Sequence, residues 1–322
     1  MNTIGNEGYL RCKICGNIDN NLFITANEMR VNTGNTFRYL RCGECGCIHY
    51  IDTPDDMSKY YNSGYYSYND NKYKPLKRKM ITERNAAYAN KTGWGRILKK
   101  IFPMKYDFRI RMDLINKYAM DKSSPIIDVG CGSGHLVDMI SDIGFKEVEG
   151  CDPFIDKECM TCQGNRLYKK TIFEIDRKYQ IITMIHSFEH MNNPFEVLRS
   201  GLDKLMDGGT IIIEVPIVGY AWEKYGIDWV QFDSPVHYFI HTEKSMRHLC
   251  MATGSVVKEI VYKGTGYQFR GSDLVKEGVW IDKQTIEMTE RYKGKERYTH
   301  YAELLNEMGK SDTAVFVIKK LE

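Results

Sequence analysis

Cys12 and Cys15, then Cys42 and Cys45, form two Cys-x-x-Cys pairs with 26 residues between them. Each pair can present two thiolates at adjacent corners of a tetrahedron, and two pairs together complete a structural Zn2+ site. Gly16 and Gly46 follow the second cysteine of each pair and ease the tight turn such a knuckle needs. Cys47 and His49 are spare donors that could replace one of the four. Ten cysteines without a secretory leader point to metal rather than to a disulfide framework.

A second chemistry-bearing stretch is Ile127-Asp128-Val129-Gly130-Cys131-Gly132-Ser133-Gly134, which lies between an expected strand and an expected helix. Glycines there let the chain turn sharply and let a ligand approach the backbone. Asp152, 24 residues after Asp128, ends the next expected strand, where an acid can accept hydrogen bonds from ribose hydroxyls. A dinucleotide fits poorly. Its pyrophosphate prefers Gly-x-Gly-x-x-Gly, and the Asp128 carboxylate would repel it. S-adenosylmethionine, with a ribose and a cationic amino-acid end, matches this charge pattern. Its sulfonium already carries a good leaving group, so the protein must align the acceptor and remove a proton. His237, His186, Glu189 and His190 are the candidates for that task, His237 first. His241 precedes an expected N-cap, Thr242, and fits a structural role better. Trp222, Tyr225, Trp229, Phe232 and Tyr238 could floor a pocket or form the core of a lid.

These residues need an alternating scaffold to position them. Strands are expected at Ile126–Val129, Glu147–Cys151, Ile181–Ile185 and Thr210–Val215, the last entered by a turn at Asp207-Gly208-Gly209. Helices are expected over Met80–Asn90, Phe108–Tyr118, His135–Ile143, Pro194–Leu205 and Lys244–Ala252, and Cys159-x-x-Cys162 is placed on a helix. Two late strands, Val256–Tyr262 and Thr313–Ile318, suit an antiparallel addition at one edge. The expected fold is α/β: a Rossmann-like, seven-stranded doubly wound sheet with a small N-terminal zinc-binding β module. The expected domains are 1–55 for the zinc-binding module, 56–104 for a basic, Tyr-rich linker and helix, and 105–322 for the main domain.

The segments IIDVGCGSGHL (126–136), EGCDPF (149–154), IHSFEHMNNP (185–194) and DGGTIIIEVP (207–216) resemble class I S-adenosylmethionine-dependent methyltransferases. By that resemblance Gly130, Cys131, Gly132 and Gly134 line the methionine part of the cofactor, and Asp152 with Pro153 holds the ribose. Thr171 to Phe173, centred on Ile172, lie near the adenine, and His186 with Ser187 borders the methyl-transfer centre. The family often has an acid before its fourth strand, where this chain has Tyr179-Gln180. The order of four cysteines, DDMSKYYNSGYYSYN (55–69) and the α/β core resembles bacterial methyltransferases of sugar and cell-surface glycan pathways. The resemblance implies a sugar or nucleotide-sugar acceptor and O- or C-methylation. The sugar C-methyltransferases carry a His-Glu-His-type motif after the fifth strand. Here Asp233-Ser234-Pro235-Val236-His237-Tyr238 keeps one histidine, which leaves O-methylation at least as well supported.

The net charge of +3 says little about partners. Residues Lys72 to Lys105 hold eleven Lys and Arg against one acid, Glu83. That stretch, with Tyr60, Tyr61, Tyr65, Tyr66 and Tyr68, could meet a nucleotide diphosphate or form a solvated linker. An RNA or protein methyltransferase that grips a polymer with its zinc module is the competing reading. It is disfavoured because that module is not strongly basic. The absence of long apolar runs argues against a membrane span, and a cytoplasmic protein, with oligomers open, is expected.

Overall fold

The computed structural model describes residues 10–30, 33–51, 57–60, 75–90, 97, 100–104, 106–279, 288–289, 291 and 294–321. Tyr61, Tyr65, Tyr66, Tyr68 and the Gly93-Trp94-Gly95 segment lie outside these residues. In chain order the strands are β1 (Leu22–Asn27), β2 (Thr36–Arg41), β3 (Ile48–Tyr50), β4 (Ile126–Val129), β5 (Val148–Cys151), β6 (Cys159–Met160), β7 (Arg166–Tyr168), β8 (Tyr179–Ile185), β9 (Leu205–Pro216), β10 (Phe239–Ile240), β11 (Ser255–Tyr262) and β12 (Thr313–Lys320). Two compact units are formed, one from residues 66–187, 196–213 and 317–322, the other from residues 1–65, 188–195 and 214–316.

Among the described residues the larger sheet has eight strands, one more than the seven expected, in the order β11-β12-β9-β8-β4-β5-β7-β6. β4 runs parallel to both β5 and β8, and β5 parallel to β7, while β6 returns antiparallel against β7. The β4 sequence Ile-Ile-Asp-Val is buried at every position, as expected of a strand covered on both faces. The helix His135–Asp142 carries β4 over to β5 and buries Leu136, Val137, Met139 and Ile140. Cys159 and Met160 form the short strand β6, not the expected helix, and the loop from Thr161 to Asn165 is a turn. The expected turn at Asp207-Gly208-Gly209 lies inside the longer strand β9. Gly208 adopts φ +69° there, and its carbonyl accepts hydrogen bonds from the side chains of Gln180 and Lys319. The helix Pro75–Asn90 is longer at its start than expected. Arg78 on it reaches Asp138 at 3.0 Å, and Asn85 reaches Asp142 at 2.9 Å. Part of the basic stretch is therefore spent on internal pairing.

In the second unit a four-stranded sheet has the order β1-β2-β3-β10. β1 and β2 form an antiparallel pair, and β3 pairs antiparallel with both β2 and β10. A large aromatic core packs Tyr39, Tyr50 and Tyr60 with Trp222, Trp229, Phe232 and Phe269. Trp229 and Phe232 are fully buried, so the aromatics after β9 serve as core. β11 and β12 lie side by side. The buried Glu214 and Lys263 side chains form an ion pair at 2.7 Å.

Candidate functional site

The first unit gathers the glycine loop and its acids. Gly130 (φ +76°) and Gly134 (φ +76°) take a left-handed conformation that favours glycine. A Cβ on Gly130 would lie 2.4 Å from Ser187 Cβ, and one on Gly134 would lie 2.7 Å from Thr161 Cγ2. The loop thus has no room for side chains at either position. The N–H groups of Gly130 and Cys131 donate to the Cys151 carbonyl at 2.8 and 3.3 Å, tying the loop to the end of β5. Asp152 accepts from the Gly132 N–H at 3.0 Å through Oδ2 and from the Phe154 N–H at 2.8 Å through Oδ1. A carboxylate only accepts hydrogen bonds, so in type it suits hydroxyl donors.

Asp128 is almost fully buried and accepts a 2.7 Å hydrogen bond from the Thr183 hydroxyl. Burial raises its pKa to about 7, against the lowering effects of Thr183 and Arg111. Ser187 is held by a 2.7 Å bond from its hydroxyl to the Val129 carbonyl. His186, just before it at the end of β8, has φ +51°, a conformation uncommon for histidine. Such outliers cluster at functional positions. Pro153 and Ile172 belong to the same unit: Ile172 is buried in a short helical turn behind a Thr171–Glu174 capping box, while Phe154 and Phe173 are largely exposed. The structure therefore brings Asp128, Gly130, Cys131, Gly132, Asp152 and Ser187 together at the carboxyl ends of β4, β5 and β8.

The second unit contains the cysteine cluster. The ligand atoms of Cys12, Cys15, Cys42 and Cys45 all lie within 4.8 Å of one another. Cys12 Sγ is 3.7 Å from Cys45 Sγ, and Cys15 Sγ is 3.5 Å from Cys42 Sγ. A tetrahedral Zn2+ with bonds of about 2.3 Å requires sulfur–sulfur separations of about 3.8 Å, so these thiols fit the ion. The Glu44 and Cys45 N–H groups point at Cys42 Sγ at 3.3 and 3.4 Å, and that of Ile14 at Cys12 Sγ at 3.4 Å. Such bonds favour thiolates. The spare donors are committed elsewhere: Cys47 donates to the Ile48 carbonyl, while His49 accepts from the Lys13 N–H and contacts the Tyr50 carbonyl through Nδ1.

The same unit collects Glu189, His190 and His237. The Tyr238 N–H donates to the Glu189 carbonyl at 2.8 Å, which joins the two segments. His190 Nδ1 lies 2.9 Å from the Val236 carbonyl, and His237 Nδ1 lies 2.9 Å from the Gln231 carbonyl. A carbonyl only accepts, so Nδ1 is the donor in both contacts. Burial, reinforced by His190, lowers the His237 pKa to about 4. Its ring is therefore neutral at pH 7. His241 is buried between Phe188 and Phe239 and precedes the N-cap Thr242, whose hydroxyl accepts from the Ser245 N–H. A structural role fits it.

Sequence reasoning overlooked Arg30 and Asp233. Asp233 Oδ2 is 3.8 Å from His237 Nε2, and Arg30 grips both carboxylate oxygens, Nε at 2.7 Å from Oδ1. Burial raises the Asp233 carboxyl, but Arg30 and His237 outweigh it and hold it below the ordinary range. The one sequence signal was an acid four residues before the histidine. The arginine lies 203 residues away and has no local signature.

Residues 104–260 match the family described as a methyltransferase domain. A mitochondrial ubiquinone biosynthesis O-methyltransferase of Candida albicans is 26% identical, over 35% of this chain and 47% of that protein. The chain thus spans about half the length of this curated relative. Among solved structures, the cyclopropane synthase MmaA2 from Mycobacterium tuberculosis is 14% identical, with a TM-score of 0.43 over 66% of this chain and 84% of that one. An O-methyltransferase from a trans-AT PKS multienzyme of Brevibacillus brevis, in complex with S-adenosyl-L-homocysteine, is 16% identical, with a TM-score of 0.43 over 74% and 79%. Among the described residues no helix is long and apolar enough to cross a membrane.

Proposed function

We propose that this protein is an S-adenosylmethionine-dependent methyltransferase that carries a structural Zn2+ on Cys12, Cys15, Cys42 and Cys45. The observation that carries the reading is the glycine loop clamped to Asp152 through the Gly132 N–H, beside the buried Asp128. It is supported by the methyltransferase-domain match over the same residues. When bound, the cofactor supplies an electrophilic methyl group. Asp152 holds the ribose hydroxyls, Gly130 to Gly134 let the methionine end approach the backbone, and Asp128 supplies negative charge for its ammonium.

The acceptor in this reading is a sugar hydroxyl, or an acidic C–H, of a nucleotide-sugar or glycan precursor. His237 removes its proton through Nε2, its ring oriented by the Gln231 carbonyl, and the Asp233 carboxylate 3.8 Å from Nε2 favours the imidazolium that results. His186 shapes the end of β8. Radiolabelled cofactor screened against nucleotide-sugars tests the acceptor class, and methyl incorporation into none of them, with transfer to RNA or protein instead, contradicts it. His237→Ala is expected to lower turnover by about 10²–10⁴-fold while cofactor affinity, read by calorimetry, stays within twofold. Full activity in that variant removes His237 as the base.

Asp128 gives the binding a sign with pH. Without ligand its carboxyl titrates near pH 7, and the cofactor's ammonium favours the ionised form. Affinity should therefore rise by about tenfold from pH 6 to pH 8, with proton release on binding. Titrations in buffers of different ionisation enthalpy measure that proton. Affinity flat over this range, or proton uptake, contradicts the assignment. Asp128→Asn should abolish the dependence.

A further inference from the structure

We propose that Glu189, His190 and His237 form a divalent-cation site, distinct from the four cysteines, for an ion of the Mn2+ or Zn2+ class. Two histidines and one carboxylate supply one ligand atom each, and these atoms lie within 4.8 Å of one another. Both imidazoles are set up as ligands. Each commits Nδ1 to a backbone carbonyl at 2.9 Å, from Val236 for His190 and from Gln231 for His237, which fixes the tautomer with Nε2 as the donor atom. Metal-bound histidines almost always have such an outer partner. Glu189 and His237 are 1% and 7% exposed, so a bound ion would be largely shielded from water.

The backbone already holds the ligands in register. Glu189 and His190 are adjacent, the Tyr238 N–H bonds the Glu189 carbonyl, and the two imidazole rings lie 4.7 Å apart, edge to face. Coordination at bond lengths of about 2.1 Å needs donor atoms about 3 Å apart, a distance inside the 4.8 Å that separates these atoms at most. Charge also fits. Arg30 neutralises Asp233, so Glu189 remains the net charge offered to the ion. Three ligands on one side leave coordination positions for an acceptor oxygen, the arrangement of two-histidine, one-carboxylate sites. An ion there would hold His237 Nε2 as a ligand in place of its role as base, and would itself lower the pKa of a sugar hydroxyl or stabilise an enolate. That role rests on the methyl-transfer reading; cation binding does not.

The test is Mn2+ titration of the whole zinc-loaded protein at pH 7.5, followed by the loss of the free-ion electron paramagnetic resonance signal. One saturable Mn2+ per chain is expected in the wild type. Glu189→Gln and His190→Gln should each weaken it by more than about tenfold, with circular dichroism and cofactor affinity unchanged. Undiminished free-ion signal at stoichiometric protein, or identical titrations in both variants, overturns the proposal. Calorimetry with S-adenosylmethionine on the same samples reports separately on the cofactor reading.

Discussion

Gly130→Ala is expected to weaken S-adenosylmethionine binding by at least about a hundredfold. The backbone at this position has φ +76°, and placing an L side chain there costs about 1–2 kcal/mol. The steric term is larger. The new methyl would sit 2.4 Å from Ser187 Cβ and 3.0 Å from Ser187 Oγ. Ser187 cannot turn away cheaply, because its hydroxyl bonds the Val129 carbonyl at 2.7 Å and the residue is buried. The ends of β4 and β8 must therefore separate, and the N–H groups of the loop move with them. Together these effects reach about 3 kcal/mol or more, which is the hundredfold stated. The double variant Gly130→Ala/Ser187→Gly removes the wall but keeps the backbone strain. Calorimetry should find its affinity partly restored, to about tenfold below wild type. Wild-type affinity in the single variant would show that the cofactor does not depend on this bend.

The second large effect concerns the cysteines. Stripping Zn2+ with a strong chelator is expected to unfold the β1-β2-β3-β10 sheet. Cys12, Cys42 and Cys45 are each no more than 3% exposed. Without a cation their thiolates repel one another and must take up protons. Cys45 shows the conflict, since its contact with Cys12 and its burial push its thiol far above its ordinary range. Structural zinc contributes about 10–16 kcal/mol in small peptides, comparable with the whole 5–15 kcal/mol stability of a typical domain. Elemental analysis should find one Zn2+ that survives gel filtration and is lost in Cys42→Ser. The near-ultraviolet circular dichroism of the packed Tyr39, Tyr50 and Tyr60 rings should collapse on chelation. A metal-free protein with unchanged aromatic signal and melting temperature would contradict the assignment.

Much of this was legible in the sequence, because the informative residues are neighbours in the chain. The buried Ile-Ile-Asp-Val strand, the glycines after it and the apolar face of His135–Asp142 are local patterns, and the folded chain uses them as read. The Cys-x-x-Cys pairs are equally local. What escaped was either weakly periodic or distant. Cys159 and Met160 are exposed and have no amphipathic pattern, so nothing in the sequence told a two-residue edge strand from a helix. Asp207-Gly208-Gly209 has turn chemistry, but strand pairing on either side carries β9 through it. The pairing of β3 with β10, and Arg30 with Asp233, joins residues about 190 and 203 positions apart, beyond any periodicity. The aromatics after β9 suit either pocket or core by type, and the burial of Trp222, Tyr225, Trp229 and Phe232, with Tyr238 packed partly buried against them, makes them core.

The central claim is that the bend after β4, with Asp128 behind it and Asp152 across from it, receives an adenosyl sulfonium. Isothermal titration calorimetry with S-adenosylmethionine, S-adenosylhomocysteine and a nicotinamide dinucleotide tests it most directly. One-to-one binding of the first two, with no heat from the third, is the predicted result. Binding of the dinucleotide by a protein indifferent to both adenosyl compounds would contradict it.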